Sequence, residues 1–330
     1  MPNIKIITEA ELRRLVPMDL AAVDCVEQGF RTLAEGKVVM PPIMSMPVRE
    51  HNGEICVKAA YVPGLDSFAV KMSPGFFDNP KLGLPSSSGM MVLFSSRTGM
   101  LEAILLDNGY LTDVRTAAAG AVAARHLARE NASTACVIGA GMQARLQLQA
   151  LMLVRPISSA VIWARDPDKA KAVAAQLTKD LGISVTSNSN AEAAVTSADV
   201  VITTTPASAP LVMADWLRPG QLIIAVGSDQ DHKCELEPAC IVRADLYIPD
   251  SQVQTEERGE LRSAISAGLV SAEQNFTELG EIAAGVTLGR QSAEVIIVAD
   301  LTGAGVQDTA IATYAFAKSA EKGLGSDFTN

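Results

Sequence analysis

Residues of the kinds that build metal centres and disulfide frameworks are scarce in this 330-residue chain. Its three histidines, His51, His126 and His232, are far apart, and its five cysteines are scattered and never spaced C-x-x-C. Structural zinc sites and disulfide scaffolds use such residues at short, recurring spacings. The sequence therefore predicts no metal site, and it predicts that the cysteines are reduced.

Positive charge and long apolar runs are lacking as well. The chain has 27 Lys and Arg residues against 37 Asp and Glu residues, which gives a net charge of -10. An acidic surface repels the phosphates of nucleic acids. No apolar run reaches the roughly 18 residues that span a bilayer, and the first residues do not resemble a signal peptide. We expect a cytoplasmic protein that binds neither nucleic acid nor membrane.

The chain does contain a glycine-rich turn between a strand pattern and a helix pattern. The apolar run 134–138 predicts a buried strand, and an amphipathic helix follows. Between them, Gly139 and Gly141 allow a tight turn, and the small Ala144 allows close packing of helix on strand. This arrangement predicts a cradle for the pyrophosphate of a dinucleotide, with Met142 and Gln143 at the helix N-terminus as further contacts. An ordinary turn is the alternative, but strands and helices go on alternating beyond it.

Hydrophobic periodicity predicts two domains. Residues 1 to about 40 have a helical pattern, and strand patterns with intervening turns follow at 55–62, 67–73, 89–96 and 100–107. A helix at 111–128 joins this part to the glycine turn, and a last helix at 308–322 returns to the first domain. The predicted fold is α/β: a Rossmann-type doubly wound parallel sheet (116–307) and a second α+β domain with a mostly antiparallel sheet (1–115 plus 308–330).

Two charged residues stand at positions typical of ligand sites. Asp229 follows the predicted strand 221–227, and ligands of open α/β sheets bind beyond the carboxyl ends of the strands. Arg115 lies near the N-terminal end of the 111–128 helix, where the helix dipole disfavours a cation. Either Arg115 binds an anion or it is a solvated surface arginine, and either Asp229 is a site residue or it caps a turn.

Five motifs in order resemble the ornithine cyclodeaminase/μ-crystallin superfamily. They are Ala69-Val70-Lys71, Gly83-Leu84-Pro85, the run Leu-Thr-Asp-Val-Arg-Thr-Ala-Ala at 111–118, Gly139-x-Gly141-x-x-Ala144, and Val226-Gly227-Ser228-Asp229 running into Lys-Cys-Glu-Leu at 233–236. The resemblance implies a homodimer. It also implies a first domain that holds the subunit contact and the substrate, and a Rossmann domain that binds the nicotinamide cofactor.

The resemblance further implies roles for three residues. Lys71 and Arg115 correspond to the cations that hold the substrate α-carboxylate, and Asp229 to the residue that handles the proton at the amine or imine nitrogen. The alternative for Lys71 is a partly buried structural ion pair. These roles are physically sound, because two cations on separate segments orient a small acid for hydride transfer. A carboxylate beside the nitrogen stabilises the protonated imine, which is the better hydride acceptor.

The sequence departs from the superfamily near the substrate. A Pro-x-Arg segment that supplies a further cation in many members is absent, since this chain has Met-Pro-Pro-Ile-Met at 40–44. A cation occurs instead at Lys58, which either meets a distal carboxylate of the substrate or is an exposed strand lysine. Ser86 and Ser87, in a serine run, and His51 are further candidate substrate contacts. Glu54 lies on the same strand face as Lys58 and is the nearest acid for a distal amine.

The cofactor is predicted from the end of the second strand of the nucleotide domain. Arg165 there would accept the 2′-phosphate of NADP(H), whereas Asp166 would repel it and read the ribose hydroxyls of NAD(H). No Ser or Thr supports Arg165, so the sequence favours NAD(H) over NADP(H). Thr116, Thr204 and Ser228 are further candidate cofactor contacts.

Two chemistries use this scaffold. A reductase transfers hydride to a C=N bond and releases an L-amino acid, whereas a cyclodeaminase oxidises a diamino acid, expels ammonia and returns the hydride. The stretch 57–128 resembles iminosuccinate reductases and the cyclodeaminase-like proteins of ectoine breakdown. The cation at Lys58 favours a reductase of a small imino acid, with iminosuccinate to L-aspartate as the specific hypothesis. An NAD-dependent cyclodeaminase of ornithine or diaminobutyrate, and a crystallin-like nicotinamide-binding protein, are the alternatives.

Overall fold

A computed structural model describes residues 3–329 as two compact units. The first unit comprises the chain up to Arg115 together with the part from Ala304 onward, and the second is Thr116–Gly303. The sequence predicted that the second unit ends at residue 307, whereas in the structure it ends four residues earlier, at Gly303. The observed boundary precedes the last helix, which starts at Gly305 and belongs entirely to the first unit.

The first unit is a seven-stranded mixed sheet with helices on one face. Its elements are β1 (Asn3–Thr8), α1 (Glu9–Leu15), α2 (Leu20–Ala34), β2 (Met44–Val48), β3 (Gly53–Ala60), β4 (Ser67–Phe76), β5 (Met90–Ser95), β6 (Leu101–Leu106), and, from the C-terminal part, α11 (Gly305–Lys322) and β14 (Ser326–Thr329). The strand order is β14-β1-β6-β5-β4-β3-β2. Among the strands of this unit that the structure describes within residues 3–329, β1 and β6 alone pair in parallel.

The helical pattern predicted for residues 1–40 is wrong at its start. Asn3–Thr8 forms β1, which is inserted between β6 and β14. Ile4 and Ile7 are its buried residues, and the apolar spacing that gives helix begins only at Leu12. The sequence also missed β2 and β14. Both are edge strands made mostly of exposed residues, so neither has the apolar alternation of a half-buried strand.

Helix α11 packs closely on β3 and β4. At its first residue, Gly305, an added Cβ would lie only 2.5 Å from the carbonyl oxygen of Ala59, so a side chain there would force the helix away from the sheet. One turn later the Thr309 hydroxyl donates to the Ala60 carbonyl at 2.9 Å and accepts from the Ala69 amide at 3.2 Å. These contacts fix the first turn of α11 against both strands.

The second unit is a fully parallel seven-stranded sheet with the order β12-β13-β11-β10-β7-β8-β9. Its elements are β7 (Thr134–Ile138), α4 (Met142–Val154), β8 (Ser159–Trp163), α5 (Pro167–Leu181), β9 (Ser184–Ser187), α6 (Ala191–Thr196), β10 (Val200–Thr203), β11 (Leu222–Ala225), α7 (Ala239–Arg243), β12 (Leu246–Pro249), α8 (Gln252–Glu257), α9 (Glu260–Ser266), α10 (Leu279–Ala283) and β13 (Ile297–Asp300). Helix α3 (Tyr110–Leu127) begins in the first unit and ends in the second.

The predicted fold class is therefore confirmed: a Rossmann-type parallel sheet and a second, mostly antiparallel α+β unit. The sequence pattern of residues 256–269 predicts a single helix, but the chain forms two short helices, α8 and α9, with a break at Gly259. A Cβ on Gly259 would lie 2.6 Å from the buried Asp300 carboxylate, so the chain turns there around an acid that the local sequence does not reveal.

Two classes of feature are absent from residues 3–329. No helix in that range is long and apolar enough to cross a membrane. The same range contains no group of three or more His, Cys, Asp or Glu side chains arranged to hold a metal ion.

Candidate active site

Lys58 and Lys71 lie opposite each other on β3 and β4. Strand alternation directs Cys56, Lys58 and Ala60 of β3 to the buried face, and Lys71 to the same face of β4. Lys58 is 7% exposed and Lys71 is 3% exposed. The alternative in which Lys58 is an exposed strand lysine is therefore wrong. Two buried lysines therefore pair across β3 and β4, the strands on which α11 packs.

The counter-charge for these lysines comes from α11. Asp308 is fully buried, and its carboxylate lies 3.1 Å from Lys71 Nζ and 2.8 Å from Arg115 Nε. Gln307 accepts from Arg115 Nη1 at 3.1 Å. The hydroxyl of the next residue, Thr309, bonds to main-chain atoms of β3 and β4. These hydrogen bonds hold Asp308 beside Lys71. We call Lys58, Lys71, Arg115 and Asp308 the cationic cluster.

Arg115 comes to the cluster from α3 and is only 5% exposed, so the alternative of a solvated arginine is wrong. The start of α3 is fixed by Asp107, which is buried and accepts from the Leu111 amide at 2.9 Å. A buried acid that accepts the orphan N–H groups of a first helical turn defines where the helix begins. Arg115 lies one turn beyond Leu111 on the same side of the helix.

Burial and mutual charge perturb the cluster strongly. Burial and the neighbouring Arg115 lower the pKa of Lys71 to about 7, against the raising effect of Asp308. For Asp308, burial favours the neutral form, but Arg115, Lys71 and Lys58 outweigh it and hold the pKa below its ordinary value. Burial raises the pKa of Asp107, although the Leu111 amide and Lys71 oppose this rise. Charges that are buried this deeply interact strongly with one another and with any anion placed beside them.

The structure does not bring the other candidate substrate contacts to the cluster. Ser87 bridges to Gly75, which is four residues along β4 from Lys71, or about 13 Å at the usual rise per residue. Ser86 precedes it, and its carbonyl accepts from the Phe76 amide. His51 is exposed in the turn before β3. Glu54 is half-buried at the start of β3, four residues from Lys58.

In the second unit the glycine turn lines a cavity of about 520 Å³. Gly139 has φ of 133°, and a Cβ there would lie 2.3 Å from Thr204 Oγ1, so only glycine fits between β7 and β10. No atom would meet a Cβ on Gly141, which is exposed and precedes the first turn of α4 without a side-chain cap. The amides of that turn are therefore available to an anion. These residues fit the pyrophosphate of a dinucleotide.

The other end of the cavity holds three charged residues. Arg165, Asp166 and Lys169 line it together with the indole of Trp163. Asp166 caps α5, since its carboxylate accepts from the amides of Asp168 and Lys169 at 3.0 and 3.1 Å. One oxygen of the Asp166 carboxylate, Oδ1, therefore already accepts two hydrogen bonds from the helix. The sequence identified Arg165 and Asp166 but missed Lys169, which lies in the first turn of α5.

Asp229 lies just beyond β11 and is partly exposed. Its carboxylate is 2.6 Å from Lys233 Nζ, an ion pair four residues apart that the sequence missed. The Ser228 hydroxyl donates to the Lys233 carbonyl at 3.0 Å. Ser228 is thus buried inside the turn that presents Asp229. Ser228 and Asp229 therefore belong to the same turn after β11. Ser228 stabilises this turn from inside, and Asp229 lies at its surface.

The remaining cofactor candidates lie near the start of α4. Met142 is exposed as its first residue, and Gln143 follows. Gln147 donates to the Thr116 carbonyl at 3.0 Å and to Gln143 at 3.3 Å, so the start of α4 is tied to α3. Thr204 lines the cavity beside Gly139. Gly139, Gly141, Arg165, Asp166 and Thr204 thus line one cavity in the second unit.

The family model for the ornithine cyclodeaminase/mu-crystallin family matches residues 4–323. The chain belongs to this family. It is 59% identical, over 99% of both chains, to a Rhizobium meliloti (strain 1021) protein that is provisionally named as a dehydrogenase. The resemblance stated from the five motifs is therefore confirmed.

Two solved members of the family have the same fold. The Delta(1)-pyrroline-2-carboxylate reductase of Thermococcus litoralis, in complex with NADH and L-proline, is 31% identical with a TM-score of 0.93, over 98% of this chain and 100% of that one. The iminosuccinate reductase of Paracoccus denitrificans, in complex with NAD+, is 28% identical with a TM-score of 0.91, over 99% and 100% of the two chains. Both relatives are reductases that bind a nicotinamide dinucleotide.

Proposed function

We propose that this family member is an NAD(P)H-dependent reductase that converts a small α-imino acid to an L-amino acid. The observation that carries the proposal is the cationic cluster. Lys71 and Arg115 contact the buried Asp308 carboxylate, and the charge of the buried Lys58 acts on the same carboxylate. Several cations buried close together form a site that favours an anion. The carboxylate of an imino acid is such an anion.

The chain's own residues would divide the work as follows. Lys71 and Arg115 bind the α-carboxylate and thereby orient the imine carbon. Asp229 holds a proton at the imine nitrogen and stabilises the iminium. The bound cofactor supplies hydride to the imine carbon, so that imine, reduced cofactor and one proton become amine and oxidised cofactor. The Gly139 turn and the Arg165 end of the cavity hold that cofactor.

The specific substrate that we propose is iminosuccinate, with L-aspartate as the product. Its second carboxylate requires a further cation near the α-carboxylate site. Lys58, buried and directly across from Lys71, is at such a position. The similarity to an iminosuccinate reductase supports the same assignment.

A cyclodeaminase of ornithine or diaminobutyrate is the second candidate. It needs an acid near the distal amine, and Glu54, on the same strand as Lys58, is the residue available. The buried position next to Lys71 is occupied by a lysine, which would repel an ammonium group. This charge favours the reductase. A crystallin-like binding protein would need no such cluster of substrate-directed charges.

For the cofactor we propose NAD(H), because Asp166 at the cavity would repel a 2′-phosphate. Both solved reductases described above hold NADH or NAD+. The cations Arg165 and Lys169 make NADP(H) the form to test beside it. We also propose a homodimer in which the first unit forms the subunit contact, with a small imino or amino acid as the only other partner.

The test is cofactor oxidation by the purified protein on mixing with oxaloacetate and ammonium, with pyruvate and ammonium alongside. NADH and NADPH are used separately. Rapid oxidation that needs ammonium and prefers oxaloacetate supports the proposal. No oxidation with either acid, together with ammonia release from ornithine or diaminobutyrate at catalytic NAD, would replace it by the cyclodeaminase.

A further inference from the structure

Glu235 is a fully buried carboxylate that receives four hydrogen bonds. One oxygen accepts from the Thr205 amide at 2.5 Å and from the Thr205 hydroxyl at 2.7 Å. The other accepts from the Thr203 hydroxyl at 2.7 Å and from the Gly227 amide at 2.8 Å. Four donors satisfy all the acceptor sites of an ionised carboxylate.

These donors belong to two segments with different roles in the proposed function. Thr203 ends β10, and the next residues, Thr204 and Thr205, line the cofactor cavity. Gly227 follows β11 and leads directly into Asp229. Because each oxygen binds a main-chain amide of a different segment, the single side chain fixes the spacing between the cavity edge and the Asp229 turn.

The surroundings of Glu235 leave little freedom to this arrangement. A Cβ on Gly227 would lie 2.2 Å from the Thr205 carbonyl oxygen and 2.6 Å from the Glu235 carboxylate, so the two segments touch through a glycine. On the other side, the Glu235 amide donates to the buried Glu260 at 2.8 Å. Its carbonyl accepts from the Leu211 amide at 2.7 Å. Hydrogen bonds therefore fix the main chain of Glu235 as well as its carboxylate.

We propose that Glu235 is a positioning residue, whose carboxylate sets the Thr204–Thr205 edge of the cofactor cavity and the Asp229 turn in register. It does not touch substrate or cofactor. The part that concerns Asp229 rests on the proposed function, whereas the part that concerns the cavity requires only that a nicotinamide dinucleotide binds there.

The decisive variant is Glu235→Gln. The amide nitrogen cannot accept a hydrogen bond, so in either orientation one main-chain amide, that of Thr205 or that of Gly227, loses its acceptor. We expect the dissociation constant for NADH to rise about 10-fold, and kcat to fall at least 10-fold with a smaller change in the KM of the imino acid. Glu237→Gln is the matched control: Glu237 lies two residues along and accepts from the Ala214 amide at 2.8 Å, away from both segments.

Thr203→Val is a second variant, which tests the proposal even if Glu235→Gln does not fold. It removes one hydroxyl donor and leaves both main-chain amides bonded, so we expect effects in the same direction of about 3-fold. Fluorescence titration with NADH, which needs no substrate, measures the cavity effect, and steady-state kinetics measures the Asp229 effect.

The outcomes separate this inference from the proposed function. If Glu235→Gln folds, and both its NADH affinity and its kcat stay within about 2-fold of the Glu237→Gln control, Glu235 is not a positioning residue. If Glu235→Gln does not fold, unchanged NADH affinity in Thr203→Val leads to the same conclusion. If the wild type binds NADH but reduces no imino acid, the proposed function fails, and the NADH titrations still test Glu235.

Discussion

Replacing Asp308 by Asn tests the cationic cluster most directly. The change keeps the size of the side chain and removes its charge. Lys71 and Arg115 would then lie, still buried, without the carboxylate that now contacts both at 3.1 and 2.8 Å. The consequence is electrostatic, because the contacts of Thr309 that hold the first turn of α11 on the sheet are unaffected.

The size of the effect follows from burial. Removing one partner of a buried ion pair costs about 3–5 kcal/mol, since it leaves a desolvated charge uncompensated. At about 2.1 cal/mol/K per residue, the unfolding entropy of this 330-residue chain is roughly 0.7 kcal/mol/K, so the melting temperature should fall by about 4–7 °C. The control is Asp327→Asn, which breaks the ion pair with Lys5 at 2.8 Å where the Asp327 side chain is 58% exposed. That change should cost less than about 1 kcal/mol.

The loss should also depend on pH. Without Asp308 the pKa of Lys71 falls further below its present value of about 7. At about pH 8.5 Lys71 is neutral in both folded proteins, so its shifted pKa destabilises wild type and variant equally. Below pH 7 the folded wild type binds a proton at Lys71, whereas the folded variant binds it less readily. The variant therefore loses more stability, relative to wild type, below pH 7 than at about pH 8.5.

Thermal unfolding followed by circular dichroism at about pH 6 and about pH 8.5, for both variants and the wild type, measures these differences. Equal melting temperatures for Asp308→Asn and Asp327→Asn at the lower pH would show that the cluster does not depend on Asp308. A larger loss at the higher pH than at the lower one would refute the assignment of the lowered pKa to Lys71.

Three further predictions concern the proposed reaction. Lys58→Met should lower kcat/KM about 10- to 100-fold with oxaloacetate and ammonium but only a few-fold with pyruvate and ammonium, because only the former substrate has a second carboxylate; equal losses would contradict the role of Lys58. Asp229→Ala should lower kcat about 10²- to 10⁴-fold, and a folded variant within a few-fold of wild type would rule out the proton role. Lys71, with a pKa of about 7, is charged below that pH and neutral above it, so the inhibition constant of succinate should rise by up to about tenfold per unit above pH 7. A constant value across that range would contradict this.

The parts of the fold that the sequence predicted are those built from local patterns. The buried strands of the second unit are short, continuous apolar runs, and the glycine turn carries its own steric requirement at Gly139. The edge strands β2 and β14 were missed because they are stabilised by pairing with a neighbouring strand and have little apolar surface of their own. The break at Gly259 was missed because its cause, Asp300, lies far along the chain.

The same division applies to the candidate site. Lys71, Arg115 and Asp229 were identified through motifs, and Lys58 as an unexpected cation on a strand. Asp308 resembled any acid in the first turn of a helix, where the helix dipole favours it. No spacing in the sequence connects it with Lys71, since the two are joined only when α11 packs on β4.

By itself the sequence determined most of the buried strands and helices, the glycine turn at Gly139 and the family, because each of these is encoded in contiguous residues whose sterics and periodicity act locally. The tertiary structure decided the charge environment. It buried Lys58 rather than exposing it, supplied Asp308 as the counter-charge, and placed Glu235 between the ends of β10 and β11. The physical reason is that the energy of a charge depends on its burial and on the groups around it, which chain packing brings together from distant segments.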